Sequence, residues 1–184
     1  MISVFFGLLF LAATCDETVT IDSVEYIVPQ QWCGQCLDSI MIADPHTLVR
    51  LPDEYCFEDY RIYLTRGARD ALVEMAQAAA RDSIRILVDS GYRSASFQAR
   101  IIKRRMAEDE SFARVVRFVA PPGYSQHETG RAVDMVPSEA LFVNTDTYAW
   151  LKEYATQYGF EESYPKDSLS NLRAEPWHWY WQGK

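Results

Sequence analysis

Positive charge is scarce in this chain of 184 residues: 18 Lys and Arg stand against 26 Asp and Glu, for a formal net charge of −8. Phosphate binding normally requires a basic face, so no nucleic-acid partner is expected. Histidine is scarcer still, with three copies. There is no internal repeat and no low-complexity linker, which argues against a solenoid or a string of tethered modules. The N-terminal apolar run at residues 2–13 falls short of the ~20 residues that a bilayer span needs. What remains is the composition of a globular protein, 48% apolar and 24% charged, long enough to bury one core.

The length of the N-terminal run and its small-residue end fit a secretory signal, although no Lys or Arg precedes it; a buried strand is the alternative. Export, to the periplasm or the medium, is the expectation. Ala12-Ala13-Thr14-Cys15 loosely matches a lipoprotein cleavage site, with Thr14 departing from the usual Gly, Ala or Ser. Membrane attachment through the leader or through Cys15 therefore stays open. The four cysteines, Cys15, Cys33, Cys36 and Cys56, all lie in the first third. In an exported protein they read as disulfides, with three connectivities open if all four pair. Cys33-Gly34-Gln35-Cys36 also has metal or redox spacing, but no second CxxC accompanies it.

Loose alternation over Val19 to Val28 predicts a strand, and residues 29–59 read as a loop-rich segment with one or two short strands. Ala68, Ala71, Leu72, Met75, Ala76 and Ala79 fall at helical spacing behind Thr65 as N-cap. Ile84 to Val88 reads as a buried strand. A second helix is expected from Ser94 or Ser96, with Phe97, Ile101 and Ile102 on its apolar face. Ala132 to Val136 predicts a strand. A helix through Trp150, Leu151 and Tyr154 is capped by Asn144 to Asp146 and ended by Gly159, and Trp177 to Trp181 is an aromatic strand. The class is α+β: one mixed domain, a small antiparallel sheet flanked by helices.

Two short stretches carry chemistry. Ser125-Gln126-His127-Glu128-Thr129-Gly130-Arg131-Ala132-Val133-Asp134 places a histidine and an aspartate on either side of a glycine turn. Glu175-Pro176-Trp177-His178 adds a second imidazole and a spare carboxylate. A hydrolytic zinc site takes three protein ligands and leaves one position for water, and histidine nitrogen and carboxylate oxygen are suitable donors. If His178 binds metal, Glu175 can take the water's proton. Spacing alone leaves this reading level with two ordinary histidines. Arg93, in the turn Ser90-Gly91-Tyr92-Arg93-Ser94, could grip a substrate carboxylate or be a plain surface arginine.

Together with Pro121 to Asp134 and Tyr158-Gly159-Phe160, these motifs resemble, in the family's order, the VanY-type zinc D-alanyl-D-alanine carboxypeptidases, over residues 65–181. The resemblance implies Zn²⁺ held by His127, Asp134 and His178 in a surface cleft, with Glu175 as general base. It implies Arg93 as a catalytic residue that binds or stabilises the substrate near its carboxylate, with Gln98 and Ser125 lining the substrate site. Peptidoglycan stem peptides would be the substrates and terminal D-alanine the product. An endopeptidase or a non-catalytic wall-binding module on the same fold are the alternatives. The chain then divides into a leader (1–14), a cysteine-containing segment (15–64) and a zinc peptidase domain (65–184). Two departures stand out: Ser163 where the family often has arginine, and Trp179-Tyr180-Trp181 where an arginine-tyrosine pair is frequent. Both remove positive charge near the expected cleft and bear on substrate preference more than on the hydrolysis itself.

Overall fold

The structure, a computed structural model, describes residues 15–166 and 172–183. The expected leader (1–14) lies outside the described residues. The stretch predicted as one strand is a hairpin of β1 (Thr18–Ile21) and β2 (Val24–Ile27). Asp22 and Ser23 both take positive φ, 49° and 64°, the backbone that a two-residue hairpin turn requires. Asp tolerates this region better than most residues and Ser23 takes it without that advantage, so the alternation runs through the turn without a glycine to mark it. β1 buries Val19 and Ile21, while β2 contributes only Tyr26, stacked on Phe112 at 4.6 Å. Ile27 on β2 is 72% exposed.

The loop-rich segment holds one short strand, β3 (Val49–Arg50), which pairs with β4 (Tyr63–Leu64). Helix α1 (Arg66–Arg81) follows Thr65, whose extended backbone makes it the N-cap. Its apolar face is built largely of alanines around Leu72 and Met75, and it packs on the main sheet and on the 3₁₀ turn Ala155–Tyr158.

The predicted strand at Ile84–Val88 begins later, as β5 (Val88–Ser90). Ile84 N–H is spent on Ala79 C=O, closing the end of α1, so the chain cannot enter a ladder until it has turned away. Helix α2 (Ala95–Met106) has Ser94 as N-cap, its hydroxyl accepting from Phe97 N–H at 3.2 Å. Ile102 is buried as expected, but Phe97 is 43% exposed beneath the Arg100 guanidinium. Gln98 takes the buried position instead. The short α3 (Phe112–Val115) follows, then β6 (Ala132–Met135), buried along its length. Helix α4 (Asp146–Tyr154) is capped by the Thr145 hydroxyl, and Gly159, at φ 80°, stops its 3₁₀ extension. Strands β7 (Phe160–Glu162) and β8 (His178–Trp181) complete an antiparallel sheet in the order β5-β6-β8-β7.

One apolar cluster lies between this sheet, α1 and α4. A second joins the N-terminal hairpin to α2 and α3 through Val19, Ile21, Trp32, Ile102 and Phe112. The cysteine-containing segment thus shares a core with the helices that wall the cleft. Among the described residues, no helix is long and apolar enough to cross a membrane.

Cys15 pairs with Cys33, while Cys36 is a free exposed thiol and Cys56 a free buried one. The pairing sets a prediction. Thiol titration of unreduced protein should find one reactive group in the native state, Cys36, and two after unfolding in denaturant. Peptide mapping after alkylation identifies the groups: a Cys33–Cys36 disulfide would instead label Cys15 in the native protein and leave Cys36 unlabelled.

Candidate metal centre

Asp134 sits on β6 directly opposite His178, the first residue of β8, and opposite Ser90 on the other side. Residues paired across antiparallel strands project to the same face, so register alone brings Asp134 and His178 together. His127 comes from the 3₁₀ turn Gln126–Thr129 just before β6. Gly130 makes the turn between them at φ 65°, and a Cβ there would lie 2.9 Å from Leu48 Cδ2. Both conformation and space restrict the position to glycine.

The hydrogen bonds define each imidazole. His127 Nδ1 donates to the Gly91 carbonyl at 2.6 Å, so its lone pair is on Nε2. That Nε2 is buried, has no hydrogen-bond partner and lies 3.2 Å from Asp134 Oδ2. His178 Nε2 donates to Gln126 Oε1 at 3.0 Å, which leaves the Nδ1 lone pair facing Asp134 Oδ1, also at 3.0 Å. Burial, with the Arg93 guanidinium adding to it, pushes His127 down to about 4, so the ring is neutral near pH 7.

His127 Nε2 and His178 Nδ1 therefore both face one buried carboxylate, each with its ring's N–H spent on the far side. Acceptors facing acceptors are unfavourable unless a cation lies between them. The three ligand atoms lie within 4.8 Å of one another. Two imidazole nitrogens and a carboxylate oxygen form the donor set of a hydrolytic zinc site, and both rings carry the second hydrogen bond that fixes a ligating tautomer. The residues fit zinc. His46, the third histidine, is exposed in a separate turn and takes no part.

A cleft of about 340 Å³ opens onto this centre. It brings together every residue singled out from the sequence: Arg93, Gln98, Ser125 and Glu175 line it beside the three ligands. Arg93 Nη2 lies 3.6 Å from Asp134 Oδ2, and its buried Nε has no partner, leaving donors for an anion. Gln98 is 1% exposed; its Nε2 donates to Ala120 C=O at 2.9 Å while its Oε1 is buried and unpartnered. Glu175 is held by its backbone N–H to Tyr164 C=O, and burial raises its carboxyl, strengthening it as a proton acceptor.

Sequence reasoning missed three contributors. Gln126, between two motif residues, orients His178. The Gly91 carbonyl orients His127, and a backbone group leaves no signal in a sequence. Tyr164, whose ring centroid is 5.1 Å from that of His178, packs beside it in the cleft. The Trp179-Tyr180-Trp181 departure does not reach the cleft: Trp179 belongs to the main core, and none of the three lines the cavity.

Comparison with known proteins agrees with this geometry. The sequence model of the family described as VanY, D-alanyl-D-alanine carboxypeptidase, matches residues 61–184. A D-alanyl-D-alanine carboxypeptidase of Enterococcus faecalis is 31% identical over 122 residues, covering 61% of this chain and 46% of that protein. The chain spans about half the length of the curated relatives it matches first. Among solved structures, the LdcB LD-carboxypeptidase superposes with a TM-score of 0.72 at 28% identity, covering 91% of this chain and 85% of that one. A mutant of the vancomycin-resistance D,D-pentapeptidase VanY in complex with Zn(II) superposes with a TM-score of 0.56 at 27% identity, covering 73% and 83%.

If Gln126 fixes the His178 tautomer, Gln126→Ala should weaken zinc binding about 10- to 100-fold, as loss of a supporting hydrogen bond to a ligand typically does. Competition against a chromophoric chelator measures this, and an unchanged affinity would remove Gln126 from the site.

Proposed function

The chain belongs to the VanY family of D-alanyl-D-alanine carboxypeptidases, and from that premise we propose that it is a zinc metallopeptidase releasing terminal D-alanine from peptidoglycan stem peptides. The observation that carries the reading is the two imidazole nitrogens, His127 Nε2 and His178 Nδ1, aimed at buried Asp134 at 3.2 and 3.0 Å, with Glu175 and Arg93 in the same cleft. His127, Asp134 and His178 would hold the ion. A zinc ion bound there supplies a Lewis acid and lowers the pKa of water to ~7.

The remaining work falls to the protein's own side chains. Glu175, with its proton affinity raised by burial, takes the proton from the attacking water and returns it to the leaving amine. Arg93 presents unsatisfied donors for the substrate's terminal carboxylate, a bidentate match that fixes which bond reaches the centre. The unpartnered Oε1 of Gln98 accepts from a substrate N–H, and Ser125 borders the same space. The LdcB and VanY neighbours are named for LD- and D,D-cleavage respectively, so both stem tetrapeptides and pentapeptides belong among the substrates to be tried.

We place the protein outside the cytoplasm, in the periplasm or secreted. The Cys15–Cys33 disulfide supports this, because such bonds persist in oxidising compartments. The same bond argues against lipid at Cys15, since a thioether and a disulfide cannot share one sulfur.

Mass spectrometry of a muropeptide digest should show loss of a single terminal alanine from tetrapeptide or pentapeptide stems. Internal fragments would indicate an endopeptidase, and intact stems with zinc-replete protein would sink the proposal. Glu175→Gln should retain zinc yet lower turnover about a hundred- to ten-thousandfold, the usual contribution of a general base. Undiminished turnover would show that another group accepts the proton.

A further inference from the structure

The cleft is electrically polarised in a way the hydrolytic centre does not require. Its lining carboxylates, Asp134 and Glu175, are both at the metal end. The rest of its wall carries Arg104 and Arg105 at the end of α2, Arg117 just beyond α3, and Arg173. Among the described residues, none of these four makes an ion-pair contact with a carboxylate, although Arg173 acts on Glu175 from a distance. Other basic residues on the same two helices are engaged: Lys103 pairs with Asp22, Arg114 pairs with Glu110 at 3.0 Å, and Arg100 lies over Phe97. Arg173 stacks on the Phe118 ring at 5.2 Å, which holds its guanidinium at the cleft rim. In a chain of net charge −8, four arginines converging on one cavity, three of them with no acidic group among the described residues acting on them in the cleft, form a local anion-attracting wall. It also supplies the positive charge that Ser163 does not.

We infer that this arginine wall reads a second carboxylate on the substrate, on the amino side of the scissile bond, and thereby selects stem peptides whose acidic residues are not amidated. The inference rests on the peptidase reading and adds a specificity to it. Gln98 and Arg105 are seven residues apart on α2, about 10 Å at 1.5 Å per residue. An extended peptide covers that distance in about three residues at 3.3–3.6 Å each. With Arg93 taking the terminal carboxylate, the wall meets a side chain two to three positions before the cleaved bond. Guanidinium suits a carboxylate there and gains nothing from an amide.

The test uses the full zinc-loaded chain and two synthetic stem pentapeptides, identical except that the acidic residue before the third position is free in one and amidated in the other. D-Alanine release and calorimetric binding are followed for both. The free acid should bind and react with a KM about five- to tenfold lower, as expected for a few partly exposed charge pairs. That advantage should shrink as salt is raised. In the double variant Arg104→Glu, Arg117→Glu the preference should vanish or invert, with zinc content and circular dichroism unchanged. Equal KM and equal binding of the two peptides by the wild type would overturn the inference while leaving the peptidase reading intact. Preferential binding of the free acid without cleavage would uphold the wall and sink the peptidase reading. Failure to bind either peptide would overturn both.

Discussion

The structure depends on Asp134, a buried carboxylate set between the imidazoles of His127 and His178. Burying a charge without a counterion costs several kcal/mol. Here the nearest fixed positive charge, Arg93, stands off at 3.6 Å and contacts one oxygen only. The hydrogen bonds from His127 to Gly91 C=O and from His178 to Gln126 Oε1 spend each ring's proton on the far side. The centre is therefore organised around a cation. Strand register, the Gly130 turn and the turn at Arg93 all converge on that carboxylate.

The cysteine-containing third, which carries no chemical motif, bears on the site through the walls of the cleft. Trp32 Nε1 and Gln31 Nε2 both donate to Val116 C=O, at 2.7 and 2.9 Å, and Tyr124 Oη donates to Glu17 at 2.6 Å. These bonds and the second apolar cluster brace α2, α3 and the segment leading into the His127 turn. The Cys15–Cys33 bond fixes the start of the hairpin to the loop that carries Trp32. Loss of the hairpin would free α2, and with it Gln98.

Much of this was legible in the sequence, for identifiable reasons. That His127, Asp134 and His178 lie together was, through the family resemblance the two motifs carry, since spacing alone left the reading level with two ordinary histidines. α1 and α4 were, because apolar periodicity and the caps at Thr65 and Thr145 agree. The hairpin was not, since Asp22 and Ser23 enter the left-handed region without the glycine that announces such turns. Phe97 misled because the buried stripe of α2 includes a polar residue, Gln98, whose amide is satisfied by a carbonyl 22 residues away. The arginines of the cleft wall were not legible, because Arg104, Arg105, Arg117 and Arg173 come from separate stretches of the chain. Disulfide pairing is a three-dimensional fact that four cysteines in a row do not determine.

The central claim is that His127, Asp134 and His178 together hold zinc. X-ray absorption at the zinc edge of the purified protein tests it most directly. The account predicts a first shell of nitrogen and oxygen only, at about 2.0–2.2 Å, with the outer-shell scattering of two imidazoles and no sulfur. A sulfur shell at about 2.3 Å would place the ion on cysteine and contradict the account.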